Sequence, residues 1–307
     1  MQNAGTPILH FALYISHFAL PERCVLQMAV VKKTKASDLH SLTKKLVSLL
    51  KKHYSPAGQK KDKPVLETML YAVCLENATQ EQADASFELL HKSFHDYNEI
   101  RVSTFGELTA CFEGMSDPDS RAARVRAILQ YVFEINFDFD FESLRRKTLE
   151  LAEKQLQKIR FLSSFIQLHT LQKSLGTHTV PVDDRMHDAV IWLGLASPGC
   201  TTAEAAEGLK SAVMKADTAT FCDYVRCLAI DPRLVSTFAK TKPPEGGFDL
   251  DQMIARVTEL LNSADKAKKT KPDSAAIKPT LTPKAKTAKG TAATAKVSKA
   301  KAGSAKK

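Results

Sequence analysis

From Ser37 to about Ser263 apolar residues recur at the three-and-four spacing of an α-helix almost without a break. No two segments alternate in a way that pairs strands, so the pattern predicts an all-α core. Asp38 is placed to cap a helix carrying Leu39, Leu42, Leu46, Leu49 and Leu50. Pro64 falls in the first turn of a second helix with Val65, Leu66, Met69, Leu70, Val73 and Cys74. Thr79 opens a third, with Ala83, Phe87, Leu90 and Phe94 on one face, and Ser103 or Thr104 a short fourth ending near Gly114. The segment 117–135 starts on an acidic, proline-bearing turn and runs through Val125, Ile128, Leu129 and Val132. FDFDF (137–141) alternates like a strand but has no partner, and is read as an extended linker whose Phe side chains plug the core. A basic helix is expected from Glu142 to about Arg160. Ser163 or Ser164 then caps a helix bearing Phe165, Leu168, Leu171 and Leu175, which Gly176 stops. Further helices are expected at about 184–195, 202–215, 218–229 and 249–263.

The net charge of +10 is confined to one end. Residues 265–307 hold 13 Lys and 2 Asp, leaving 31 basic and 32 acidic side chains in 1–264. That tail has no aromatic residue and almost no large apolar one, so it cannot offset the entropy of ordering and is expected to be disordered. Its lysines suit double-stranded DNA, whose phosphates attract them by counterion release, although a self-repelling, solubilising tail has the same composition. Six Cys, at 24, 74, 111, 200, 222 and 227, form no CxxC pair and no metal-binding spacing. They predict no metal, no cofactor and reduced thiols in a cytoplasmic chain, and the Lys-rich tail adds the expectation that it is nucleoid-associated. The apolar run ILHFALYISHFAL (8–20) is too short to span a bilayer and is broken by His10 and His17. No membrane role is expected. Met28 opens a more ordinary start, so residues 1–36 read as an extension, with 1–27 an over-extended upstream start.

Chemistry, if any, centres on 177–195, THTVPVDDRMHDAVIWLGL. Pro181 lacks an amide donor and biases Val180 to extended backbone. Asp183 or Asp184 then caps a helix whose Met186, Ala189, Val190 and Leu193 share a face. Capping needs one Asp and carries no chemistry. His178 and His187 flank the pair without metal-binding spacing, and the only Trp, Trp192, reads as core.

A capped helix, a glycine stop, a short extended link and then V-D opening an apolar helix resembles the helix-hairpin-helix DNA glycosylases, the endonuclease III-like proteins of base excision repair. PVLETMLYAVCLENATQEQADASFELL (64–90) resembles that family's second helix, polar turn and third helix. TFGELTACFEGMSDPDSRAARVRAILQYVFEI (104–135) resembles the next helix pair. The likeness covers about residues 40–230 in matching order and is one of pattern, not of exact motifs. It implies a two-lobed core over 37–264, with a middle lobe of about 64–175 set between the first helix (38–53) and the C-terminal helices (184–263).

DNA would then lie across the cleft between the lobes of a monomer, with Asp183 at its floor as the catalytic residue. A carboxylate is ionised at neutral pH and can stabilise an oxocarbenium-like sugar as the base leaves. Asn77 would fill the gap left by a flipped nucleotide. Lys154, Lys158, Arg160, Ser163 and Ser164 would hold phosphate at the hairpin. Three departures from the family accompany the likeness. The hairpin Ile159-Arg-Phe-Leu-Ser163 has no glycine where relatives use L-P-G-V-G. The position of the lyase lysine is Phe165, so Schiff-base chemistry is not expected. The four-cysteine iron–sulfur cluster of many relatives is absent. Two functions follow from this: a monofunctional glycosylase using Asp183, or a degenerate scaffold that binds DNA mainly through its tail.

Overall fold

The computed structural model describes residues 36–56 and 63–270; the apolar run 8–20 and all of 271–307 lie outside them. The described residues form thirteen α-helices and no strand. None of those helices is long and apolar enough to cross a membrane.

Two clusters of buried side chains organise the chain. The first is built by α2 (Val65–Leu75), α3 (Gln80–Ser93), α4 (Tyr97–Val102), α5 (Phe105–Ala110), α6 (Pro118–Asn136), a 3-10 turn (Glu142–Arg146), α7 (Leu149–Leu156) and α8 (Ser164–Leu175). At its centre α2 is buried on every side, from Val65 to Leu75 except Glu67, and packs along α8. The second cluster joins α1 (Ala36–Leu50), through Leu46 and Leu50, to α9 (Asp184–Leu193), α10 (Thr202–Ala212), α11 (Thr218–Ile230), α12 (Val235–Lys240) and α13 (Met253–Thr270). The chain therefore leaves the second cluster after α1, completes the first, and returns through the extended link 176–182. Each fully buried Leu or Phe in these clusters contributes about 1.5–3 kcal/mol, which is what fixes the helices in place.

Local chemistry sets the helix ends. Thr79, Thr104 and Thr201 each form a capping box with the acid or amide three residues on. Ser163 caps α8, and Gly176 ends it in the left-handed region at φ 62°. Three regions depart from the helical reading. α4 and α12, six residues each, are too short to show a period and are held by Ile100 and Phe238. The basic helix expected over 142–160 is broken at Lys147–Thr148 into the 3-10 turn and α7.

FDFDF also needs correction. Phe141 is buried and Phe139 half-buried, but Phe137 caps α6 in the left-handed region (φ 54°) with its ring 82 % exposed. Period-2 alternation would set all three rings on one face, but Phe137 closes α6 and bends follow it, so the segment is not continuously extended and that alignment is broken at Phe137.

Candidate nucleic-acid interface

The link into α9 is anchored by Val180, Pro181 and Val182, all buried. Asp183 follows as the N-cap, and its Oδ1 accepts from the Met186 N–H at 2.8 Å. Its other oxygen, Oδ2, accepts from the backbone N–H of Asn77 at 2.9 Å and from the Arg226 guanidinium at 2.9 Å. The side chain is 0 % exposed. A carboxylate has about four acceptor positions, and here three are filled by donors from three different parts of the chain.

Asn77 sits in the turn between α2 and α3 with φ 53°. Its Nδ2 donates to Asp184 at 3.0 Å and its Oδ1 accepts from the Arg185 N–H at 3.3 Å. The side chain expected to enter a duplex is thus engaged with the first turn of α9. It and the Asp183 cap satisfy amides that a helix start otherwise leaves open.

Arg226 comes from α11, among the buried Cys222, Val225 and Ala229. Beyond Asp183 it donates to the carbonyls of Leu75 and of Ala78, the latter at 2.6 Å, and its guanidinium lies 5.5 Å from the centre of the Phe165 ring. Phe165 is buried and stacks on His169 at 5.7 Å. Burial, with the charges of Lys173 and Arg226 behind it, lowers the His169 pKa to about 3, so this imidazole is neutral.

A second arginine serves the same helix end. Arg121 of α6 donates to Ser116 O at 2.8 Å, Glu76 O at 2.5 Å, Cys74 O at 3.3 Å and Val73 O. Two guanidinium groups therefore take up the last carbonyls of α2, where the helix dipole favours cations. Sequence reasoning singles out neither. The available sign is an arginine lying among apolar residues on a helix face, Arg121 with Val125 and Ile128, and Arg226 with Cys222 and Ala229.

The hairpin occupies 157–163, between α7 and α8. Ile159 is buried and Leu162 half-buried, which pins the turn from inside. Phe161 adopts φ 61°, the left-handed conformation that glycine would supply, and its ring is 70 % exposed. Lys154, Lys158 and Arg160 are exposed, and none has an ion-pair partner among the described residues. The Ser163 hydroxyl accepts from the Ile166 N–H at 3.3 Å, while Ser164 is exposed at the start of α8. Glu76, the residue before Asn77, pairs with Arg124 and interacts with both Ser163 and Asp183, so the hairpin and the Asp183 clasp are neighbours. Burial raises the Glu76 pKa, with Arg124 opposing.

Among the described residues no three His, Cys, Asp or Glu side chains gather as metal ligands. His178 and His187 each bond a backbone carbonyl, of Val213 and Cys200, at 2.9 Å, and Trp192 is buried against Phe238.

By sequence, the chain matches no protein-family model and no curated protein significantly. By structure it is similar to endonuclease III trapped as a covalent intermediate with DNA, with TM-score 0.51 and 9 % identity over 64 % of this chain and 86 % of that one. It is similar also to a non-covalent endonuclease III–DNA complex, with TM-score 0.50 and 9 % identity over the same shares. H. pylori 3-methyladenine DNA glycosylase MagIII, bound to 1,N6-ethenoadenine, matches at TM-score 0.41 and 18 % identity over 75 % of this chain and 98 % of that one, too distant to add to the argument. The described chain therefore has the all-α fold of endonuclease III.

Proposed function

We propose that this chain is a DNA-binding protein on the endonuclease III fold, in which Asp183 joins the two lobes and does not attend a reacting sugar. The observation that carries this reading is the state of that carboxylate, fully buried and filled by Arg226, Asn77 and Met186. Stabilising a developing cation requires a charge facing the substrate. A carboxylate already compensated by a buried guanidinium has little field left to offer. Phe165, buried beneath Arg226, leaves no nucleophile at the lyase position.

DNA binding is supported by Lys154, Lys158 and Arg160, exposed and without ion-pair partners among the described residues, around a hairpin whose backbone turn is retained without glycine. Both endonuclease III structures that this fold is similar to are DNA complexes. The Lys-rich 265–307 segment adds a sequence-independent attraction.

The test is the salt dependence of duplex binding by the full chain. A side chain that neutralises one phosphate adds about 1 to the slope of log affinity against log salt, so Lys154→Gln/Lys158→Gln/Arg160→Gln should lower it by about 3. Removing 265–307 should lower it further. An unchanged slope in the triple variant removes the hairpin from the interface.

A second reading, base excision by a monofunctional glycosylase, is favoured by Asp183 standing at the helix start that follows the hairpin pair, in endonuclease III order. It requires the clasp to open on DNA.

A further inference from the structure

Phe161 is held in an unusual state. A non-glycine residue at φ 61° is strained, because its Cβ crowds the neighbouring carbonyl, and large side chains are rarest there. The ring is also 70 % exposed, so burial does not compensate. Phe137 shares both properties, yet its ring lies 6.3 Å from Phe133 and its neighbours Glu134, Asp138 and Asp140 are acidic. Phe161 has no ring partner among the described residues. Its tip is fixed from within by Ile159 and flanked by Lys158 and Arg160.

The chemistry of that tip differs from that of a glycine turn. With glycine, nothing stands between the backbone amides and a phosphate. With Phe161, the turn instead carries an exposed apolar ring with the exposed cations Lys158 and Arg160 beside it in the chain. Rings presented this way take bases, whose faces stack on aromatic side chains while nearby lysine and arginine meet the backbone. Bases inside an intact duplex offer no free face.

We propose that the 157–163 hairpin is a stacking site for an unpaired DNA base, in a single strand or at a disrupted pair, with Phe161 as the platform and Lys158 and Arg160 on the flanking phosphates. The site deepens the DNA-binding reading and rests on the hairpin being the DNA surface.

The experiment compares a fluorescein-labelled single-stranded oligonucleotide with the fully paired duplex of the same sequence, using the full chain. Phe161→Gly should lower single-strand affinity about tenfold, the effect of removing one stacked base. It should leave duplex affinity equal or higher, because the amides become approachable. Glycine is favoured at this φ, so the variant's Tm should not fall, which separates impaired binding from impaired folding. Phe161→Trp should keep single-strand affinity, and its indole emission should be quenched by the oligonucleotide over the buried Trp192 background.

Single-strand affinity of Phe161→Gly within twofold of wild type, or an equal drop on both probes, overturns the stacking site. The triple cation variant is the control for the underlying reading. If it weakens both probes while Phe161→Gly weakens neither, only the stacking inference fails; if it weakens neither, the hairpin interface fails with it.

Discussion

Arg226→Met is expected to lower the unfolding free energy of the full chain by about 3–5 kcal/mol in urea titrations, because it leaves the buried Asp183 carboxylate without its countercharge. The same change removes the Arg226 donor from the carbonyls of Leu75 and Ala78, both in the buried contact. Asp183→Asn in the same background should recover part of that stability, since an amide tolerates burial better than an unpaired charge. The double variant should therefore be more stable than the sum of the single effects predicts, by about 1–3 kcal/mol. Additive effects would mean that the two groups do not act as a pair.

Arg121→Met is expected to cost about 2–4 kcal/mol, through a different mechanism. Its removal leaves the carbonyls of Val73, Cys74, Glu76 and Ser116 short of donors, each at about 1–3 kcal/mol, offset in part by no longer burying a cation. Burial already pushes the Arg121 pKa down, which marks how much desolvation the site imposes. No carboxylate depends on Arg121 alone, since the Glu76 side chain pairs with Arg124. Changing Asp183 to Asn should therefore give no rescue of Arg121→Met, which distinguishes the two arginines in one set of melts.

The helices were legible because their signals are local. Spacing of three and four identifies α2, α3, α6, α8, α9 and α11, and the caps at Thr79, Ser163 and Gly176 follow from side-chain and backbone chemistry within four residues. α4 and α12 were not legible, since six residues make fewer than two turns and their stability comes from the clusters they cover. The outward turn of Phe137 escapes a sequence reading because alternation would put all three rings on one face, and nothing local shows that Phe137 ends α6 in the left-handed region instead of joining an extended run.

The site was legible in part. Asp183 could be read as a cap, but its partners lie 106 residues upstream at Asn77 and 43 downstream at Arg226, and no local pattern specifies such pairings. The missing hairpin glycines were plain in the sequence. That the left-handed turn persists, with Phe161 bearing the strain, was not.

The clasp and the proposed function meet in one assay. Full-length protein and Asp183→Asn would be mixed in single-turnover excess with duplexes carrying uracil, an oxidised purine or an alkylated adenine, and freed base measured. The buried ion pair predicts that the wild type retains each duplex and releases no base above the protein-free rate. Base released by the wild type and not by Asp183→Asn would contradict the account, and would make Asp183 a working carboxylate exposed only when DNA opens the lobes.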